Sequence, residues 1–235
     1  PTPYSKKLLR NYGLRQPIAA ISNGIDLKRY YPDEYKEAAF RKHFHLSETQ
    51  KVVICVGLFF ERKGIKDFVE IAQKMPEYTF IWFGAVPMLS IPANIRRIVK
   101  KDHPANVLFP GYINGDLIEG AYSGADLFFF PSYEETEGIV VLEALASQQQ
   151  VLLRNIPVYQ GWMQDQQNCY MGNNNQEFEE LIRQLVNHRL PNLTLAGFKT
   201  AQAKSITEIG QELKTVYQAV LQLPYNHQIY SKVTK

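Results

Sequence analysis

Cysteine is nearly absent: the 235-residue chain holds two, Cys55 and Cys169, far apart in sequence and in no metal-ligand spacing. That pattern excludes a disulfide framework and favours two buried thiols in a reducing cytoplasm. The five histidines, His43, His45, His103, His188 and His227, form no ligand pattern; on a helix, His43 and His45 point to different faces. No apolar run reaches the roughly eighteen residues of a membrane span. No signal peptide is legible, and the chain begins with Pro1 rather than Met, as a fragment would. Neither a P-loop nor a G-x-G-x-x-G fingerprint occurs. Charge of either sign is scarce in excess: 26 Lys+Arg against 23 Asp+Glu leave a net +3. This is too mild for a nucleic-acid module, and no basic run is interleaved with aromatics. It is compatible with weak attraction to anionic lipid. Internal repeats and low-complexity segments are also missing.

What is present is a soluble-type α/β composition, 45% hydrophobic and 12% aromatic. The length suits one full domain, or one domain with a piece of another. From Lys51 onward short apolar runs alternate with amphipathic segments, the pattern of a doubly wound parallel sheet with crossover helices. Strands are predicted at Val52–Val56, Thr79–Phe83, Val107–Phe109, Asp126–Phe130, Val151–Leu153 and Cys169–Met171. Ile65, Phe68, Val69 and Ala72 recur at i, i+3, i+4, i+7 and predict a helix over Ile65–Lys74. Gln176–His188 repeats the pattern, and a last long helix runs over roughly Ile206–Leu223, ending near Pro224. The tail beyond has no period and reads as loose. Before Lys51 the expectation is a short helix at Tyr4–Tyr12, a strand at Ile18–Ile21, a turn at Asn23–Asp26 and a charged helix over Asp33–Phe44.

Two loops carry the chemistry. In Pro131-Ser-Tyr-Glu-Glu-Thr-Glu-Gly-Ile-Val-Val-Leu-Glu143-Ala-Leu-Ala, Glu135 and Glu143 stand eight residues apart around Gly138, which should open a helix over Ile139–Ser147. The neighbours of Glu143 on that helix are Ile139, Val140, Ala146 and Ser147, so its carboxylate needs a partner if buried. A solvated or locally bonded glutamate is the bland reading. A strand-to-helix turn in an α/β sheet, where nucleotide ligands bind, favours a functional one. Earlier, Val52–Val56 runs into Gly57-Leu-Phe-Phe-Glu-Arg62-Lys63-Gly64 and a helix. Glycine permits close approach, a helix start offers free N–H groups, and Arg62 and Lys63 add cations, so this loop can cradle a diphosphate. An Arg-Lys pair before a helix is also a common solvated pair.

The string from Glu135 to Ala146 resembles the signature E-G-F-G-L-P-x-L-E-A-x-A of retaining glycosyltransferases of family 4, which have the two-domain GT-B fold. Both glutamates, Gly138 and Leu142-Glu143-Ala144 are in register; Thr136 and Val140 replace the usual glycine and proline. The form Ser-Tyr-Glu-Glu-Thr-Glu-Gly-Ile-Val-Val-Leu-Glu-Ala-Leu-Ala is closer still to the bacterial diacylglycerol glucosyltransferase branch. Ile21-Ser-Asn-Gly-Ile-Asp26 resembles the crossing between the two domains of the family. The resemblance therefore implies that residues 1–22 end a mostly absent acceptor domain and that 23–223 form the Rossmann-like nucleotide-sugar domain, with 224–235 a tail. It also implies that part of the last helix returns to the first domain.

From the same resemblance Lys63, with Arg62, would bind the donor diphosphate, although the family's V-G-R-x4-K-G has its arginine where this chain has Leu58. Gly57 and the helix-start residues Gly138, Ile139 and Val140 would contact phosphate and sugar, Glu135 the sugar hydroxyls and Glu143 the ribose. The turn Phe109–Ile113 would hold the base through Tyr112 and Ile113; read alone, Tyr112 is equally an ordinary loop aromatic. The implied donor is UDP-glucose, with no metal and no cofactor, and the lack of any Asp-x-Asp argues against the metal-dependent GT-A type. The implied partners are the chain's own acceptor domain and a lipid acceptor at the membrane surface, with no nucleic acid, on the cytoplasmic face of the cell membrane. A polysaccharide or small-alcohol acceptor remains open, as do a GT-B phosphorylase, for which Lys51 and Lys63 lack a suggestive context, and a donor-binding module inactive by itself. The stretch Ala146–Tyr159 departs from the family's A-x-G-x-P-V-V, while Ile156-Pro-Val-Tyr159 fits the lipid branch.

Overall fold

A computed structural model describes residues 1–221. Six parallel strands form one sheet: β1 (Val52–Val56), β2 (Thr79–Phe83), β3 (Val107–Gly111), β4 (Leu127–Phe130), β5 (Val151–Arg154) and β6 (Tyr170–Gly172). Their spatial order is β3-β2-β1-β4-β5-β6, the doubly wound order of nucleotide-binding folds, in which the sequence reverses direction between β1 and β4. Helices α1 (Pro3–Asn11) and α2 (Glu34–His43) precede the sheet. Helices α3 (Ile65–Gln73), α4 (Ala93–Lys100), α5 (Asp116–Gly124), α6 (Ile139–Ala146), α7 (Asn175–Val186), α8 (Thr194–Gln202) and α9 (Ile206–Leu221) connect or follow the strands.

Aromatic strand residues divide between the two faces by simple alternation. Phe129 faces Phe68 of α3 and Phe178 of α7, whereas its neighbour Phe128 meets Tyr122 of α5. Likewise Phe80 and Trp82 pack on Phe68, while Phe83 packs on Phe40 of α2. Strands covered on both sides are nearly continuous apolar runs: β2 and β4 are buried at every position, and the one polar residue among them, Thr79, accepts from Gln50 Nε2. Burying such residues stabilises the fold by roughly 1.5–3 kcal/mol per large side chain.

The six strands and the helices predicted after residue 30 fall where the apolar periodicity placed them, within a residue or two at their ends. Two boundaries differ usefully. Pro110 and Gly111 belong to β3 rather than to the turn after it, and β3 is an edge strand, where a residue without an N–H is tolerated. The strand expected at Ile18–Ile21 does not form: those residues join no ladder, and a strand needs a partner to satisfy its backbone. Pairing begins at Ile25, which makes a single parallel bridge with Ser205. The end of the last helix, predicted at Leu223, and the tail 224–235 lie outside the described residues. Among the described residues no helix is long and apolar enough to cross a membrane.

Candidate functional site

Two loops leave the carboxyl ends of β1 and β4, the strands flanking the reversal point, and both end in a glycine with a left-handed backbone. Gly64 (φ 79°) starts α3, and Gly138 (φ 84°) starts α6. A Cβ on Gly64 would stand 2.5 Å from the carbonyl oxygen of Pro131, so only glycine lets the first loop touch the second. The loops are then stitched together. Tyr133 N–H donates to the Arg62 carbonyl at 2.8 Å, Arg62 Nη1 donates to the Glu134 carbonyl at 3.2 Å, and Lys63 Nζ donates to Glu135 Oε1.

The Lys63–Glu135 ion pair is the centre of this arrangement. Its side chains are 14% and 8% exposed, and Ser132 Oγ donates to the same carboxylate oxygen at 2.8 Å. Lys63 Nζ also lies 5.5 Å from the Phe130 ring centroid. Arg62 is exposed beside it. A cleft of about 460 Å³ adjoins the pair, lined by Arg62, Lys63, Glu134, Glu135 and Thr136 together with Tyr4, Ser5 and Leu8 of α1. The amides of Ile139 and Val140 lie in the first turn of α6, where N–H groups have no intrahelical carbonyl to bind. With the partial positive charge of the helix start they suit an anion. From the end of β5, Arg154 fixes the root of the second loop. Its Nε donates to the Pro131 carbonyl at 2.9 Å, its Nη2 lies 3.4 Å from Asp67, and its guanidinium stacks between Tyr133 and Phe178.

The other predicted residues are distributed around this centre. Gly57 packs under it, but its backbone is occupied: its N–H donates to the Phe83 carbonyl and its carbonyl accepts from Trp82 Nε1. What Gly57 offers a ligand is therefore room, not a hydrogen bond. Leu58, at the position of the family arginine, is 44% exposed and supplies no charge. Tyr112 is 75% exposed beyond the end of β3, with Ile113 half-buried beside it.

Glu143, half-buried on α6, finds the partner its apolar helix face requires in two phenols. Tyr30 OH donates to Oε1 at 3.0 Å and Tyr122 OH to Oε2 at 2.6 Å. Burial first, then the adjacent carboxylate, push the Tyr30 and Tyr122 hydroxyls well above the usual phenol range, so both stay protonated and donate. A carboxylate has about four lone-pair directions; the tyrosines use one on each oxygen and leave acceptor capacity for a diol. Among the described residues no cluster of three His, Cys, Asp or Glu is placed to hold a metal ion.

Sequence reasoning missed three groups of residues here. Tyr30 and Tyr122 carried no motif. Thr2 and Ser5 both donate from their hydroxyls to the Thr136 carbonyl, at 3.0 and 3.1 Å. Glu137, 1% exposed, binds Ser22 and Asn23. Only Glu137 left a trace in the sequence, because the family string has phenylalanine at that place.

The family model described as "Glycosyl transferases group 1" matches residues 36–200. The chain is 50% identical over 227 residues to a processive diacylglycerol alpha-glucosyltransferase of Acholeplasma laidlawii, covering 95% of this chain and 67% of that protein. It is 30% identical over 148 residues to an alpha-galactosylglucosyldiacylglycerol synthase of Streptococcus pneumoniae, covering 62% of this chain and 40% of that one. Among solved structures, sucrose-phosphate synthase of Thermosynechococcus elongatus superposes with a TM-score of 0.80 at 23% identity, over 94% of this chain and 57% of that one. Anabaena HepE in complex with UDP and glucose gives 0.80 at 17% identity, over 94% and 62%. The chain thus spans between two-fifths and two-thirds of these proteins, and its parallel sheet is that of GT-B glycosyltransferases. With the family model matching residues 36–200 and half of the 227 aligned positions shared with a relative covered to two-thirds of its length, the chain belongs to the glycosyl transferases group 1 family.

Proposed function

We propose that this chain is the donor-binding half of a retaining family 4 glycosyltransferase that moves glucose from UDP-glucose to diacylglycerol. The observation that carries the reading is the Lys63–Glu135 pair in the lining of the cleft, Glu135 standing four residues before the start of α6. Lys63 offers a cation and Glu135 an acceptor in that lining, and the first turn of α6 offers amides without intrahelical partners; these are the groups a sugar diphosphate needs. The lipid acceptor is supported by the names of the two glycolipid-forming relatives. On this reading residues 1–22 close the acceptor half, residues from 23 onward form the donor domain, and the intact protein works as a peripheral enzyme on the inner face of the cell membrane.

A sugar joined to a diphosphate is already activated, so the protein must hold it and stabilise the charge gathering on the leaving phosphate. Lys63, Arg62 and the amides of Ile139 and Val140 do so. Glu135 accepts from sugar hydroxyls and Glu143 from the ribose, while Tyr112 and Ile113 flank the base. The acceptor attacks the face the diphosphate leaves, and that phosphate takes its proton; neither a protein nucleophile nor a metal takes part. Glu143 lies inside a helix with two phenols on it, poorly placed for the two-carboxylate chemistry of a glycosidase. Calorimetry in the presence of a chelator should show UDP binding, and the longer protein should release lipid-linked glucose of retained configuration from diacylglycerol vesicles. A requirement for manganese, or product free of lipid, would overturn the respective half.

A further inference from the structure

The loop between Glu135 and Gly138 is held in its middle by Thr2 and Ser5, whose hydroxyls donate to the Thr136 carbonyl, and at either flank of that residue by a charged group. On one side stands Lys63, which a donor diphosphate must recruit. On the other stands Glu137, whose partners come from the linker that enters the domain. Ser22 Oγ donates to Glu137 Oε1, and Asn23 donates to Oε2 from its backbone N–H at 3.0 Å and from Nδ2 at 2.6 Å. Lys204 Nζ lies 3.9 Å from Oε1. The linker is itself fixed from behind: Ile25 N–H donates to the Lys204 carbonyl and Ile206 N–H returns to the Ile25 carbonyl.

A carboxylate this deeply buried is costly unless its lone pairs are filled, and these are filled by three donors and a nearby ammonium. None of those partners belongs to the cleft, so the interaction survives when Lys63 turns to phosphate. Glu135 and Gly138 are its neighbours at two residues and one. We propose that Glu137 is a positioning residue: it anchors the loop that presents Glu135 to the donor sugar, and ties that loop to the linker. This rests on the donor reading above. The consequence is selective. When a donor pulls Lys63 away, a loop without Glu137 keeps only Ser132 on Glu135 and Thr2 and Ser5 on the Thr136 carbonyl. Glu135 would then drift from the sugar, whereas the helix-start amides stay fixed by the buried Val141 and Leu142 of α6. Loss of Glu137 should then weaken UDP-glucose far more than UDP.

The test titrates UDP and UDP-glucose calorimetrically into the chain and its Glu137→Ala, Glu137→Gln and Ser22→Ala variants. Glu137→Ala should lose about tenfold in UDP-glucose affinity, the usual scale of hydrogen bonds to a charged group, with UDP affinity nearly unchanged. Glu137→Gln should recover part of the loss, and Ser22→Ala should add little in the Glu137→Ala background, because the two act through one contact. Amide exchange over 134–138 should quicken in Glu137→Ala even without ligand. Should that variant fail to fold, Ser22→Ala alone must show the same sugar-selective loss in smaller measure. Equal weakening of both ligands, or unchanged exchange, overturns the positioning role. A parent chain that binds neither ligand overturns the donor reading itself, and this inference with it.

Discussion

Glu143 stands on a helix face made otherwise of Ile139, Val140, Ala146 and Ser147, and its two phenolic donors explain how a charge is tolerated there. That it needed a partner was legible from the helical spacing. Which partner was not, because Tyr30 is 113 positions away and reaches Glu143 only through the fold. Glu143→Ala should weaken UDP by roughly 1.5–3 kcal/mol, the scale of hydrogen bonds to a charged group. It should also lower the melting temperature by stranding the buried Tyr122 hydroxyl. Tyr122→Phe separates the two effects: it leaves the carboxylate in place, so affinity should fall less than in Glu143→Ala. Calorimetry paired with thermal melts checks this, and equal affinity losses would deny Glu143 any direct contact with the nucleotide. Glu135, Lys63 and Gly138 stood out for a different reason, since each sits in a strand-loop-helix unit announced by the apolar run of β1 or β4, the two central strands.

At the scale of elements, what the sequence announced was what apolar periodicity controls. The α3 face of Ile65, Phe68, Val69 and Ala72 is buried as its spacing required. Helix α8 left no such signal, because the residues it buries are Gly197 and Ala201, small side chains that let it lie close to α6. Ile18–Ile21 failed in the opposite way: its two isoleucines suit a strand, but among the described residues no strand pairs with them. The joint between the two site loops offers a direct test. Gly64→Ala adds a methyl 2.5 Å from the Pro131 carbonyl in a left-handed conformation and should cost about 2–3 kcal/mol. Gly210→Ala, with nothing near its added Cβ in α9, should instead stabilise by roughly 0.5–1 kcal/mol. Urea melts of both variants decide the matter. A harmless Gly64→Ala would mean that the loops do not meet as described.

For the whole molecule, acid stability rests on where carboxylates are paired. Glu119 on α5 is 8% exposed and accepts from Lys36 at 2.6 Å and Arg29 at 2.8 Å, joining α5 to α2 and to the segment before it. Burial alone would raise its pKa, but the two ion pairs outweigh that and hold it below its ordinary 4.5. A depressed folded-state value contributes stability that is complete above the unfolded pKa and is lost as pH falls through the folded one. Urea midpoints should therefore drop on acidification below 4.5, and Glu119→Gln should flatten that drop while lowering the plateau above it. A variant with an unaltered acid slope would remove Glu119 from the account. Arg29 is half exposed, so its share of the pair is screened by solvent.

Cys55 and Cys169 sit at different depths in the order of strands. Cys55 is in β1, inside the sheet, and Cys169 immediately precedes β6 at its edge; both are buried and free. Burial drives the Cys55 thiol well above its ordinary range and the Cys169 thiol up to about 12. Neither reacts as a thiolate until the chain around it opens and meets water. The two sulfurs are thus a built-in pair of clocks: alkylation of Cys169 times the fraying of an edge, and alkylation of Cys55 times the opening of the sheet itself. If the sheet opens as one unit, mass spectrometry will find both labels appearing together. Otherwise Cys169 will be labelled first, and UDP will slow Cys55 more than Cys169, because the nucleotide would rest on loops rooted in β1 and β4.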